Sequence, residues 1–127
     1  MTKKEEEKQS TWSIEELIAF TEEVQTGNVE YRGKDFSFHF CELVEAEEPK
    51  MTGIEKLERL SEEEKMERYA KIGNERILAM IEKANKKQPA KATIMTENWG
   101  MLPTSLRYKI SNHIMGVESS DSENFTL

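Results

Sequence analysis

The sequence is poor in the residues that staple, break or catalyse. One cysteine, Cys41, is present in 127 residues, so no internal disulfide can form, and a small secreted fold held by bridges is excluded. Two histidines, His39 and His113, and two aspartates, Asp35 and Asp121, leave little material for a metal centre or a calcium loop, whose ligands recur at fixed spacing. Apolar residues make up only 36% of the chain, below the roughly 45–50% of an average globular domain. No apolar run approaches the roughly 18 residues of a membrane span, and Lys3–Lys8 has no apolar stretch of the kind a signal peptide needs. No membrane partner is expected, and a reducing cytoplasm suits this composition.

Charge is abundant instead. Charged residues are 34% of the sequence and the net charge is −7, which works against neutralising phosphates, so no nucleic-acid partner is expected. The charge is also uneven: Glu42–Glu64 holds nine acids against three bases, and Ile81–Met115 six bases against two acids. Such halves can pair within a chain or between copies, and self-association is expected.

Periodicity divides the chain. Residues 1–11 are polar and aperiodic and read as a disordered tail. Ser13-Ile14-Glu15-Glu16 has the form of a capping box. Ile14, Leu17, Ile18, Thr21 and Val24 then predict a helix over 14–26, stopped by Gly27-Asn28. Trp12, just before the cap, has two readings, a hydrophobic staple or a docking anchor. Phe36, Phe38 and Phe40 alternate with polar residues, and Gly33 supplies the turn of a hairpin with Val29–Tyr31. An acidic linker covers about 44–53, and Ile54, Leu57 and Leu60 suggest a short helix. A second capping box, Ser61–Glu64, opens the longest helix, 62–86. Its stripe is Met66, Tyr69, Ala70, Gly73, Ile77, Met80, Ile81 and Ala84, and Pro89 lies beyond its end. A turn at Thr96–Trp99 precedes a last helix over 103–115, with Leu106, Ile110, His113 and Ile114 on one face and Gly116 as its stop. Residues 118–127 read as an acidic disordered tail. The expected fold is a single α+β domain over 12–117, mostly helical: an N-terminal helix, one β-hairpin, a long helix and a shorter C-terminal helix.

No catalytic, cofactor-binding or metal-binding residue emerges. His39 and Cys41, two apart on one strand face, have neither an aimed base and oxyanion site nor two further ligands. The Glu clusters fall in tails, caps and exposed helix faces, and no glycine-rich phosphate loop occurs. Interaction features are stronger. Trp99-Gly100-Met101-Leu102-Pro103 groups residue types enriched at binding surfaces, although a Trp there also serves to close a small core. Trp99, Met101, Leu102, Leu106 and Tyr108, with Tyr69 and Ile77 of the long helix, are the candidate partner-binding residues.

Three features together resemble the tail assembly chaperones of long, non-contractile-tailed bacteriophages. They are the hairpin Val29-Glu30-Tyr31-Arg32-Gly33-Lys34-Asp35-Phe36-Ser37-Phe38, the acidic linker before a long helix, and the segment Asn98-Trp99, Leu102-Pro103, Leu106 and Ile110 followed by an acidic tail. They span roughly 90 residues. The resemblance implies a non-enzymatic protein of the host bacterial cytoplasm that binds the tape-measure protein, helps recruit tail tube protein and is absent from the finished virion. It also implies a longer form made by ribosomal frameshifting, for which codons for Glu123-Asn124-Phe125 could supply a slippery site. The competing expectation is a small acidic regulatory protein that inhibits a host enzyme by presenting residues 42–64.

Overall fold

A computed structural model describes residues 11–50 and 59–126. In chain order the elements are α1 (Ile14–Phe20), β1 (Gln25–Tyr31), β2 (Lys34–Phe40), a 3-10 turn (Glu45–Glu47), α2 (Glu62–Lys87), a second 3-10 turn (Pro89–Lys91), α3 (Thr96–Trp99) and α4 (Thr104–Thr126). The expected mostly helical α+β fold is present: N-terminal helix, one hairpin, long helix, shorter C-terminal helix. The short helix expected at Ile54, Leu57 and Leu60 falls largely outside the described residues.

The hairpin turns through Arg32 and Gly33, whose φ angles of 51° and 83° are the paired positive values of a two-residue type I′ turn. Gly33 adopts this conformation freely, whereas Arg32 does so at a cost of about 1 kcal/mol or more. Tyr31 pairs with Lys34, Val29 with Phe36, Gly27 with Phe38 and Gln25 with Phe40. Side chains of these pairs project to one face and those of the intervening pairs to the other. The first face supplies Phe38 and Phe40, fully buried, with Val29, Tyr31 and Phe36 half-buried.

A two-stranded sheet is marginal alone. Here α2 packs on β2 and α4 on β1, so both helices close over the same face. Ile77, Met80 and Ile81 from α2 and Leu106, Ile110 and Ile114 from α4 join the two phenylalanines, with Ile94 and Trp99 completing the core. The chain between these helices is pinned at both ends. Asn85 Nδ2 donates to the Ile94 carbonyl at 2.7 Å, and Thr93 Oγ1 donates to the Ser37 carbonyl at 3.1 Å.

Helix α1 is much shorter than the 14–26 that periodicity predicts. It ends at Phe20 with Thr21 as its cap, and Thr21 Oγ1 donates to the Ile18 carbonyl at 2.7 Å. Gln25–Asn28 lies within β1, so Gly27 is a strand residue and not a helix stop. Its lack of a side chain is what allows the Phe38 ring to lie over the strand: a Cβ at Gly27 would stand 2.5 Å from Phe38 Cζ. The capping box at Ser13 forms as expected, Glu16 N–H donating to Ser13 Oγ and Ser13 N–H to Glu16 Oε1, both at 3.0 Å. At Ser61 only half of the box forms: Glu64 N–H donates to Ser61 Oγ at 3.2 Å, and the hydroxyl donates back to the Glu64 carboxylate at 3.0 Å. Gly116 does not end α4, whose backbone continues to Thr126.

Candidate protein-binding surface

The seven candidate partner residues divide by environment. Trp99, Leu106 and Ile77 belong to the core. Trp99 is fixed there by a hydrogen bond of 3.0 Å from its Nε1 to Asn74 Oδ1, and the Arg107 guanidinium lies 5.4 Å above its ring. Leu102 is half-buried against the same cluster. Met101, Tyr108 and Tyr69 are exposed. The Trp99 segment is therefore a core-closing element from which Met101 protrudes.

Helix α4 is apolar on two sides. Leu106, Ile110 and Ile114 follow one another at four-residue steps and are buried. Tyr108 and Met115, seven residues apart, sit about half a turn away from that row at 3.6 residues per turn. They are 71% and 54% exposed, and Met101, seven residues before Tyr108, is 81% exposed. An amphipathic helix on a core ordinarily turns charge toward water on that side. Met115 escaped the sequence reading, although its i+7 spacing from Tyr108 carries the signal. The flanking bases are tied down: Lys109 Nζ donates to the Glu30 carbonyl at 2.6 Å, and Arg107 is stacked on Trp99. Tyr31 and Ser105 share a hydrogen bond of 2.8 Å that anchors the start of α4 to the hairpin. The surface thus stands on a rigid base.

The acidic segment is organised around Lys83. Its ammonium group, 9% exposed, lies 2.7 Å from Glu47 Oε1, 3.1 Å from Glu22 Oε2 and 2.9 Å from the Glu42 carbonyl, to which it donates. Lys87 pairs with Glu22 at 2.9 Å and Arg76 with Glu48 at 2.8 Å. Hydrogen bonds from Lys87 and then Lys83 hold the Glu22 carboxyl below its ordinary value. The Lys83 bond, with a smaller one from the Val44 N–H, does the same for Glu47. Burial opposes the charge on Lys83, but its two carboxylate partners outweigh that and raise its pKa. Both clusters draw on the acids of residues 42–64 for internal pairing.

Neither histidine meets Cys41. β2 ends at Phe40, so strand alternation does not carry on to Cys41, and the shared face expected for His39 and Cys41 does not form. Cys41 is fully buried and its N–H donates to the Met80 carbonyl at 3.0 Å, while burial pushes its thiol pKa up. His39 Nδ1 lies 3.2 Å from Thr26 Oγ1, and His113 meets the Phe38 ring edge-on at 5.6 Å. A surface depression of about 460 Å³ beside α2 is lined mainly by charged side chains, among them Glu64, Glu67, Arg68 and Lys71. Among the described residues no group of three or more His, Cys, Asp or Glu is placed to hold a metal ion, and no helix is long and apolar enough to cross a membrane.

Comparisons with protein-family models, with curated proteins and with solved structures give no match to this chain.

Proposed function

We propose that this chain is a non-catalytic protein-binding factor that engages a long helical client through the outer side of α4 and the adjoining Met101. The observation that carries this reading is the second apolar side of α4. Met101, Tyr108 and Met115 are presented to solvent from a helix whose opposite side is locked into the core. Methionine adapts to irregular apolar partners and tyrosine adds a rigid ring with a polar tip, a combination suited to holding a helix without demanding one sequence. With the resemblance of the hairpin, linker and Trp99 segment, the particular form proposed is a phage tail assembly chaperone acting in the bacterial cytoplasm. It would bind the tape-measure protein and assist tail tube assembly. The competing regulatory reading has less support, because Glu47 and Glu48 are engaged by Lys83 and Arg76.

Co-expression with the longest helical protein encoded beside this one tests the proposal. The expected result is that the long protein becomes soluble and co-purifies with this chain. A client that stays insoluble and uncaptured overturns the chaperone reading, and a tight one-to-one complex with a host enzyme, weakened by Glu→Gln changes within residues 42–64, would replace it.

A further inference from the structure

Two apolar surfaces serve neither the core nor the proposed client surface. The first is α1. It is seven residues long and none of its residues is buried, yet a helix needs about 12–15 residues to hold itself in water. Its apolar side chains are turned outward, with Trp12 62%, Ile14 68% and Ile18 62% exposed. From Thr11 to Val24 the chain has four glutamates and no base. Glu16 is taken by the cap and Glu22 by Lys83 and Lys87, and Glu15 and Glu23 are exposed.

The second surface is the first half of α2. Met66, Ala70 and Gly73 extend the stripe of Ile77, Met80 and Ala84 toward the N-terminus in alternating steps of four and three residues. The later residues are buried under the hairpin and α4, whereas Met66 is 70% and Tyr69 51% exposed. Ala70 and Gly73 are small enough for another helix to approach closely. From Lys65 to Arg76 there are four bases and two acids, the reverse of the charge around α1. The two surfaces do not cover each other within one chain. The Glu22–Lys83 bridge ties the end of α1 near the far end of α2, and Lys83 lies about 20 Å along the helix from Ala70 at 1.5 Å per residue.

We propose that a second copy of this chain covers both, α1 of each protomer lying on the first half of α2 of its partner in a two-fold dimer. The contact is self-complementary, as a two-fold interface must be. Apolar side chains meet apolar side chains, and the acids beside α1 meet Lys65 and Lys71, which flank the Met66–Ala70 stretch. Counted over both copies, the exposed apolar area of the two surfaces is on the order of 1,500 Å², within the range of a standard stable interface. The inference uses neither Met101, Tyr108 nor Met115, so it stands or falls apart from the client reading.

Sedimentation velocity of the full chain at tens of micromolar tests it. The expected species has twice the 14.8 kDa chain mass. Ile14→Glu with Ile18→Glu, and separately Met66→Glu with Tyr69→Glu, should each give a folded monomer with unchanged far-ultraviolet circular dichroism, since these side chains lie outside the core. Glu15→Lys with Glu23→Lys should weaken the dimer by about tenfold, and so should Lys65→Glu with Lys71→Glu, because each change acts at two symmetric contacts. All four charge reversals in one chain should bring the dissociation constant back to within about threefold of the original, because the exchanged signs attract again. The proposal is overturned if the unaltered chain is monomeric, if either apolar pair leaves the dimer intact, or if the fourfold reversal binds no more tightly than each pair alone. The second result would place the interface elsewhere, as in pairing of α1 with α1.

Discussion

Replacing Gly27 by alanine adds one methyl group at the most crowded point of the hairpin. The new Cβ would lie 2.5 Å from Phe38 Cζ, 2.8 Å from Phe38 Cε2 and 3.0 Å from His113 Cδ2. Carbon atoms do not approach so closely, so the ring must move. Phe38 is wholly buried, with the Phe40 ring 6.0 Å away and His113 set edge-on against it at 5.6 Å. A shift of the ring therefore disturbs both β2 and α4. Overpacking a core of this kind costs about 1–3 kcal/mol, and with contacts to two residues on different elements the upper half of that range applies. Gly27→Ala should lower the urea midpoint by the equivalent of about 2–3 kcal/mol with an unchanged m-value. The melting temperature should fall by roughly 8–12 °C. Combining it with Phe38→Leu should cost less than the sum of the two single changes, because the smaller side chain vacates the space the methyl needs. Gly73→Ala is the control of opposite sign. Nothing lies within 4 Å of a Cβ there, the residue is inside α2, and the added methyl should stabilise by about 0.5–1 kcal/mol. A Gly27→Ala protein within about 0.5 kcal/mol of the original would refute the argument, since it would show that Phe38 is free to move.

The Lys83 cluster sets a pH dependence at both ends of the scale. Glu22 and Glu47 have depressed pKa values when folded, so their contribution is complete above the ordinary carboxylate value and is lost as pH falls through the folded values below 4.5. Lys83 is raised, so its contribution is complete below 10.5 and is lost as pH rises through the folded value above it. Chemical denaturation from pH 2 to 12 should show both losses, and Lys83→Met should remove them together while costing about 1–3 kcal/mol at neutral pH. A pH profile unchanged by that substitution would contradict the pairing. Cys41, fully buried with a raised pKa, should react with a thiol reagent in the folded state at least about a hundredfold more slowly than in urea; equal rates would show the site to be open.

Much of the fold was legible because its signals were local. Ser13 and Ser61 with their glutamates marked two helix starts, the alternation of Phe36, Phe38 and Phe40 marked a strand, and Gly33 marked its turn. What escaped depended on contacts far along the chain. Thr21 and Val24 fit a helical stripe, but Gln25 and Gly27 gain more by pairing with Phe40 and Phe38, and tertiary pairing overrode the local period. Gly116 resembles a stop, yet glycine in a helix costs only about 1 kcal/mol relative to alanine and α4 continues through it. The candidate surface was half legible. Met101 and Tyr108 were singled out beside Trp99, but that Trp99 faces inward rests on Asn74, 25 residues away. Lys83 was visible only as one base in a helix end, because its partners Glu22 and Glu47 come from separate segments brought together by the fold.

The central claim is that Met101, Tyr108 and Met115 form the client surface. Titrating the purified long helical client with this chain, and with a Met101→Glu, Tyr108→Glu variant, measures it directly. Both side chains lie outside the core, so the variant should fold and melt as the original does. Its affinity should fall by at least about tenfold, equivalent to about 1.4 kcal/mol. Equal affinity for the two proteins would contradict the account and move the client to another face.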